Sequence, residues 1–333
     1  MVQAAGQECC QTPQSKMPMV LLSLPFGMST ETPPPPRSRW YTHSYDGPWL
    51  YQMVAACAPL LPRSLRFACA RILADLYRQR MPKEYAAVQR NIARILPTVD
   101  PTTINQVARS LFRHFAYYFA DLLSLNRQPL PIQQRYLHGI HNFDRVQPLL
   151  ESRQGFVVAT AHLGNWDLAG RLLSPYGKTV HVVMAPEQHA AVQRLLREEN
   201  RPPALRFVSN DDTGGFVQLL MALRRGDIVA VQVDRGTGHR SDIPVNFFGR
   251  SVSLPGGPFV LARAARVPVI PCFCVMRPDR QYEIHVGEAI AVERGGEEKA
   301  LQQMAHVLEQ YIALAPDQWF NFYDVWDTPS TAR

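Results

Sequence analysis

Short apolar segments alternate with segments of helical periodicity between residues 136 and 314, and this alternation constrains the fold more than any other feature of the chain. The apolar segments have the length and composition of strands. They cover residues 136–143, 156–161, 179–185, 205–208, 228–233, 267–275 and 282–286. Helical patterns lie at residues 167–173, 188–199, 215–224, 259–266 and 297–314. Such alternation predicts an α/β fold with a mixed, mostly parallel sheet flanked by helices.

The rest of the chain divides into three predicted parts. Residues 1–44 lack periodicity and contain four consecutive prolines, which predicts a flexible leader and a Pro-rich linker. Residues 45–130 form a predicted N-terminal helical region, with helices at 49–60, 62–80, 84–96 and 103–125. The α/β domain then spans residues 131–327, and residues 328–333 form a tail.

The sequence is basic, with 35 Lys and Arg against 28 Asp and Glu. Arginine favours bidentate contacts with phosphate or carboxylate, so we expect an anionic substrate or membrane surface as a partner. A compositional bias toward arginine would explain the same count of basic residues. No nucleic-acid partner is expected. The apolar helix at 49–60, with Trp and Tyr at its start, is the best candidate for docking on such a surface. It is shorter than the about 20 residues of a spanning helix, so we expect the protein to lie on a membrane without crossing it.

Several chemistries lack their sequence motifs. The six cysteines show neither a disulfide framework nor zinc-ribbon spacing, which predicts a reduced, cytosol-facing environment. No group of His, Cys and acidic residues has the spacing of a metal site, so no metal is expected. The chain also lacks a Gly-x-Ser-x-Gly elbow, a complete Walker loop and a Gly-x-Gly-x-x-Gly fingerprint. A serine hydrolase and a nucleotide-binding enzyme are therefore not supported.

One strand leads directly into a candidate catalytic residue. The strand at 156–161 is followed by His162, then by Gly164 and Asn165, and then by a helix that begins near Asp167. Ligands of open α/β sheets bind beyond the carboxyl ends of the strands, so His162 lies where chemistry is expected. From the loop its ring could turn back to Asp167, which would orient it as a general base. As an alternative, Asn165 is simply a helix N-cap and Asp167 a first-turn acid favoured by the helix dipole.

A second strand end has the same layout. The strand at 228–233 runs into Asp234 and Arg235, and a long loop is expected from there to Arg250. Arg235 would then lie close to His162 and could hold a phosphate or stabilise developing negative charge. A structural Asp-Arg pair that closes a turn is the alternative interpretation.

These motifs together resemble the lipid A late (lauroyl/myristoyl) acyltransferases, a branch of the lysophospholipid acyltransferase superfamily. The resemblance begins with His-Leu-Gly-Asn-Trp-Asp at 162–167 and continues through Val-Asp-Arg at 233–235 and Asn-Phe-Phe-Gly at 246–249. It includes Leu-Pro-Gly-Gly-Pro at 254–258 and ends with the aromatic block at 316–326. It therefore covers most of the chain in the family's order, and it implies a glycerol-3-phosphate acyltransferase-like fold.

The resemblance implies an O-acyltransferase of the His-x4-Asp type, peripheral on the cytoplasmic side of the inner membrane or cytoplasmic. A fatty acyl group would move from acyl carrier protein or coenzyme A, as co-substrate and without a further cofactor, to a hydroxyl of a lipid or glycolipid. His162 would be the general base and Asp167 its orienting residue. Backbone N–H groups near Gly164 and Asn165, or Arg235, would meet the oxyanion, and Asp234, Arg235 and Arg250 are the substrate-binding candidates. The N-terminal helices and the aromatic block would line an acyl groove.

Three alternatives stay open at this point. Water could replace the acceptor hydroxyl, which would make the protein an acyl-thioester hydrolase acting through the same His162. The acceptor could be another pathway intermediate, such as a polyene or natural-product precursor, because the aromatic block resembles a sub-branch associated with such pathways. The protein could also bind lipids or carrier proteins without catalysis.

Overall fold

The structure, a computed structural model, describes residues 48–184, 202–209 and 214–327. The predicted leader at 1–44, the helix at 188–199 and the tail at 328–333 lie outside the described residues. Within the described part of the chain, no helix combines the length and the apolar character that membrane crossing requires.

In the described part of the chain before residue 123 there are four α-helices, and prolines mark where three of them begin. They are α1 (Pro48–Cys57), α2 (Arg63–Arg80), α3 (Pro82–Ile95) and α4 (Pro101–Leu122). Proline fits the first helical turn because its missing N–H would have no partner there in any case. Asp100 caps α4, because its side chain accepts hydrogen bonds from the backbone N–H groups of Thr102 and Thr103. Helices α2 and α3 pack against α4, and two short helices follow, α5 (Leu130–Gln134) and α6 (Gln147–Glu151).

Among the described residues, seven strands form the main sheet, in the order β1-β9-β8-β2-β5-β3-β4. They are β1 (Leu137–His141), β2 (Phe156–Thr160), β3 (Val180–Met184), β4 (Leu205–Ser209), β5 (Ile228–Gln232), β8 (Val269–Met276) and β9 (Tyr282–Val286). The five strands from β8 to β4 are parallel, whereas β9 is antiparallel to β8 and parallel to β1. The predicted mixed, mostly parallel sheet is therefore confirmed.

Both faces of the sheet are covered, as the apolar runs predict. On β2, Val157 and Ala159 face the core that contains α8 (Gly215–Arg225), α9 (Gly257–Ala265) and α10 (Glu297–Leu314). Phe156 and Val158 alternate with them and face a second core. That core contains α7 (Trp166–Leu172) and side chains from α2, α4 and α6. The central strands β2 and β8 are thus buried between two layers, and their carboxyl ends are the parts that can meet a ligand.

The prediction of a long loop between 234 and 250 is wrong, because the second half of this segment forms a strand. Strands β6 (Asp242–Phe247) and β7 (Arg250–Pro255) form an antiparallel hairpin. The chain reverses at Phe248 and Gly249, whose positive φ angles of 49° and 74° fit a two-residue hairpin turn. The alternation of inward-facing Ile243, Val245 and Phe247 is the signal for this strand.

Candidate active site

The register of two neighbouring strands brings His162 and Asp234 together. Thr160, the last residue of β2, pairs with Gln232, the last residue of β5. The pairing extends one residue further, because Val233 N donates to Thr160 O over 2.9 Å. His162 and Asp234 are each two residues beyond these strand ends, and His162 Nδ1 lies 2.8 Å from Asp234 Oδ1. The topology therefore assembles an imidazole-carboxylate pair at the carboxyl edge of the parallel sheet.

Asp234 is fully buried and its second oxygen is held by two donors. Trp319 Nε1 donates to Asp234 Oδ2 over 2.8 Å, and Asn321 Nδ2 donates to the same oxygen over 3.2 Å. Burial alone would raise the pKa of the Asp234 carboxyl, but the His162 ring, the Arg235 charge and the Trp319 donor together hold it well below its usual range. Asp234 is therefore an anion that can orient His162 and stabilise an imidazolium.

His162 can act as a base from the ring edge opposite Asp234. Its side chain is 25% exposed. Nδ1 is bound to Asp234, and among the described residues Nε2 has no hydrogen-bond partner. Burial lowers the pKa of His162 and the Arg235 charge lowers it further, which outweighs the opposing effect of Asp234. The imidazole is thus neutral at neutral pH, with a nitrogen lone pair that can accept a proton.

Asp167 does not have the position that the His-x4-Asp spacing predicts. Its Oδ2 accepts hydrogen bonds from Arg171 Nε over 2.9 Å and from Asn126 Nδ2 over 2.8 Å. Asp167 and Arg171 are both almost fully buried. The carboxylate bound to His162 Nδ1 is Asp234, so Asp234 makes the orienting contact that was predicted for Asp167. Asp167 belongs instead to a buried hydrogen-bond network at α7. A spacing in the chain could not show this, because the strand register brings in a residue from 72 positions away.

The loop between β2 and α7 is fixed by backbone hydrogen bonds, and this corrects the predicted oxyanion site. Gly164 N donates to Gln318 O over 3.0 Å, and Asn165 N donates to Cys274 O over 2.8 Å. Both N–H groups are therefore occupied inside the protein. Gly164 has a φ of 62°, and a Cβ atom there would lie 2.0 Å from Cys274 O, so the loop can approach β8 this closely only with glycine. Asn165 caps α7 through Leu168 N, as the alternative interpretation proposed.

The structure separates the two candidate arginines. Arg235 is half-buried beside the His162–Asp234 pair, and its Nε donates to Asn321 Oδ1 over 2.6 Å while Nη2 donates to Phe320 O. Arg250 is exposed at the turn of the β6–β7 hairpin, and no hydrogen bond found among the described residues joins it to the pair. Of the two arginines, Arg235 is therefore the one that lies at this site.

The aromatic block near the C-terminus builds much of the site, a role that the sequence interpretation missed. Besides the donors to Asp234, Phe320 N donates to His162 O over 2.8 Å, and Leu163 forms an isolated bridge with Trp319. The signal was present in the sequence, because Trp319 and Asn321 alternate with aromatic residues in a segment without helical periodicity. Asn126, which binds Asp167 and Asn165, had no recognisable signal.

An apolar cavity of about 440 Å³ lies among α1, α2, α4 and the aromatic block. Met53, Phe115, Ala116, Phe119 and Phe322 are among its lining residues. Packing connects it to the loop that carries His162: the Phe115 ring lies 5.2 Å from the ring of Phe320, the residue whose N–H is bound to His162 O. An apolar slot of this size suits a hydrocarbon chain.

The chain is similar to several known proteins. Phosphatidylinositol mannoside acyltransferases from Mycobacterium tuberculosis (strain CDC 1551 / Oshkosh) and Mycolicibacterium smegmatis (strain ATCC 700084 / mc(2)155) are each 24% identical to this chain. The alignments cover 72% of the chain and 76% and 78% of the two relatives. Among solved structures, the 1-acyl-sn-glycerophosphate (LPA) acyltransferase PlsC from Thermotoga maritima aligns over 78% of this chain and 100% of its own, with a TM-score of 0.36 and 11% identity.

The family comparison covers all of the described residues. The model of the family described as bacterial lipid A biosynthesis acyltransferase matches residues 36–328. This match includes the His162–Asp234 pair, the cavity and the aromatic block. The chain belongs to the bacterial lipid A biosynthesis acyltransferase family.

Proposed function

We propose that this acyltransferase moves a fatty acyl group from a thioester to a hydroxyl of a lipid or glycolipid, with His162 as general base and Asp234 as its orienting residue. The observation that carries the proposal is the 2.8 Å contact between His162 Nδ1 and the buried Asp234 carboxylate, which leaves Nε2 for the substrate. The family membership and the phosphatidylinositol mannoside acyltransferases among the relatives support a lipid acceptor.

The proposed reaction is a direct transfer. His162 Nε2 takes the proton of the acceptor hydroxyl while the hydroxyl oxygen attacks the thioester carbonyl carbon. The tetrahedral intermediate then collapses, the C–S bond breaks, and the imidazolium returns its proton to the leaving thiolate. The products are an ester and a thiol, and no acyl-enzyme forms. Asp234 stabilises the imidazolium in between, because its carboxylate accepts the Nδ1–H bond throughout.

Arg235 is the proposed source of positive charge near the oxyanion. Its charge is close enough to His162 to lower the pKa of the ring. Asn321 and Phe320 hold its Nε and Nη2, which fixes the guanidinium without neutralising it. A fixed cation in a partly buried site stabilises developing negative charge more than a mobile one would, because no reorganisation is needed during the reaction.

The function is tested by supplying acyl-coenzyme A or acyl carrier protein thioesters to the purified protein, with and without a lipid extract that contains hydroxylated glycolipids. We expect mass spectrometry to find an acylated lipid, and thiol release to depend on the lipid. Release of free fatty acid at the same rate without lipid would identify a hydrolase and contradict the proposal. Comparison of the two thioesters identifies the donor.

We propose that the apolar cavity holds the acyl chain of the donor. Replacing Ala116 by tryptophan should fill part of the cavity and exclude at least two methylene groups. Each buried methylene contributes about 0.8 kcal/mol, so kcat/KM for a long-chain donor should fall on the order of tenfold, with a smaller effect on a short-chain donor. Steady-state kinetics with donors of graded length measures this. Ala313→Trp on the exposed face of α10 is the matched control, and an equal loss for all donors would contradict this role of the cavity.

We also propose that α1 and α2 dock on an anionic membrane surface. Large apolar side chains are exposed on α2 and on the turn between α1 and α2. They include Leu60 in that turn, which is 82% exposed, and Ile72 and Leu76 on one face of α2. Met53 and Leu73 are both exposed and in the cavity lining, so the cavity opens on this surface. Exposed cations at Arg71, Arg80 and Lys83 would add attraction to anionic headgroups.

Charge introduced on this surface should weaken membrane binding without affecting the active site. The double substitution Ile72→Glu and Leu76→Glu changes two exposed side chains that do not line the cavity. We expect binding to anionic lipid vesicles in a cosedimentation assay to fall at least about tenfold, because two apolar side chains are lost from the interface. Leu314→Glu, an exposed position on α10, should bind like the wild type. Equal binding of all three proteins would contradict the assignment of this surface.

A further inference from the structure

Two histidines and a glutamate converge at the edge of the sheet, outside the proposed active site. They are His141 at the end of β1 and Glu283 and His285 in β9. One ligand atom from each of the three side chains lies within 4.8 Å of the others. The proposed reaction does not use these residues, since His162 and Asp234 follow β2 and β5 in the middle of the sheet.

The backbone fixes this arrangement. His141 pairs directly with His285 in the parallel register of β1 and β9, and Gly139 pairs with Glu283. Glu283 and His285 are two residues apart in one strand, so they share a face, and His141 lies on the same face. A Cβ atom at Gly139 would have nothing within 4 Å, so the space beside Glu283 is open. The three side chains are thus held by two hydrogen-bonded strands, as a preorganised site requires.

The side-chain geometry directs all three groups to one point. His141 Nε2 lies 3.1 Å from Glu283 Oε2, and His285 Nε2 lies 3.1 Å from Glu283 Oε1. The two imidazole rings are stacked in parallel, with centroids 4.5 Å apart and an interplanar angle of 7°. Two imidazolium rings at this distance would repel each other. A single cation between the two Nε2 atoms and the carboxylate would satisfy all three groups at once.

We propose that His141, Glu283 and His285 bind one divalent late transition metal ion, with Zn²⁺ as the representative. Two neutral imidazoles and one carboxylate form a ligand set typical of Zn²⁺, and water would complete a tetrahedral site. Each imidazole would coordinate through Nε2 in the tautomer with its proton on Nδ1. The proton that Nε2 shares with Glu283 in the metal-free protein would pass to solvent, and a neutral ring would take one from solvent at Nδ1. The ion can enter from solvent, because the His141 side chain is 49% exposed. Its effect would be to clamp the edge strand β1 to β9.

Arg277 is expected to oppose metal binding at this site. Its Nη1 lies 3.3 Å from Glu283 Oε2, the oxygen that also meets His141, so the guanidinium competes with a metal ion for this carboxylate. Arg277 also contacts Asp279 Oδ2 over 3.4 Å, and this carboxylate can retain it when a metal binds. Removal of the guanidinium charge should therefore strengthen metal binding, whereas removal of a ligand should weaken it.

The test is calorimetric titration of the metal-free full-length protein with ZnCl₂, with Co²⁺ absorption spectra as a report on ligand geometry. We expect one ion per chain, affinity reduced at least about tenfold by His141→Ala, His285→Ala or Glu283→Gln, and affinity increased by Arg277→Gln. His306→Ala removes an exposed histidine from α10 and should leave binding unchanged. Thermal unfolding without metal checks that each variant folds, and Glu283→Gln, which keeps the side-chain shape, serves if an alanine variant does not. Absence of stoichiometric binding, or equal affinity in the wild type and the ligand variants, would overturn the proposal.

Discussion

Replacing His162 by alanine is expected to slow acyl transfer on the order of 10²- to 10⁴-fold, because the reaction loses its general base. The fold should persist. The His162 side chain is partly exposed, and the buried Asp234 carboxylate keeps its hydrogen bonds from Trp319 and Asn321. Two measurements on the variant separate loss of catalysis from loss of folding: the initial rate of acylated-lipid formation and the unfolding temperature. An unchanged rate in the folded variant would remove His162 from the mechanism.

The pH dependence of the wild type gives a second, independent check on His162. Burial and the Arg235 charge lower the pKa of the ring. As the pH falls through this pKa, Nε2 becomes protonated and can no longer accept the hydroxyl proton. The acidic limb of kcat/KM should therefore have its midpoint below the ordinary histidine value of about 6.5. His239→Ala, which changes an exposed loop histidine, should leave both the rate and this midpoint unchanged.

Most of the fold could be predicted because its strands are short apolar runs with clear ends. The predicted and observed bounds agree for Tyr282–Val286 and Glu297–Leu314, and they differ by one or two residues for β2, β3, β5 and β8. The hairpin is not predicted because its turn residues, Phe248 and Gly249, fall in the long loop that is expected to run to Arg250. The order of the strands could not be predicted, because β1 pairs with β9, a strand far away in the chain. The paired residues Leu137 and Tyr282 are 145 positions apart.

The position of the candidate site in the fold could be predicted from the sequence. Which carboxylate contacts His162 could not. His162 and Asp234 were both found from the same pattern, a strand that ends in polar residues. The local spacing favoured Asp167 as the partner of His162, because a sequence shows neighbours in the chain and not neighbours across a sheet. Once β2 and β5 are known to be paired in register, the equal offset of two residues makes the contact between His162 and Asp234 a consequence of geometry. The cluster of His141, Glu283 and His285 is not predicted for the same reason, since His141 and Glu283 are 142 residues apart.

Asparagine substitutions at Asp234 and Asp167 should therefore affect different properties. The first should reduce the rate of acyl transfer, and the second should reduce the stability of the fold. Asp234 accepts hydrogen bonds from His162, Trp319 and Asn321, and an asparagine has a single acceptor oxygen with which to replace them. If its amide N–H₂ group faces Nδ1, the ring adopts the tautomer with a proton on Nε2 and cannot act as a base. We expect Asp234→Asn to reduce acyl transfer on the order of 10²- to 10⁴-fold, with the residual acidic limb at still lower pH because the carboxylate that raises the His162 pKa is gone.

Asp167→Asn should act on stability instead. Arg171 is 1% exposed, and loss of the Asp167 charge weakens the compensation of a buried guanidinium, which typically costs about 3 kcal/mol. Denaturant unfolding should show this loss, while the rate per folded molecule and the position of the acidic limb stay within a few-fold and a few tenths of a pH unit of the wild type, roughly the range of a substitution away from reacting groups. The two readouts separate the roles because only the residue bound to Nδ1 controls both the tautomer and the pKa of the base. If Asp167→Asn moved the acidic limb and Asp234→Asn did not, the local carboxylate would be the partner of His162 during the reaction, and the contact in the structure would be a resting arrangement.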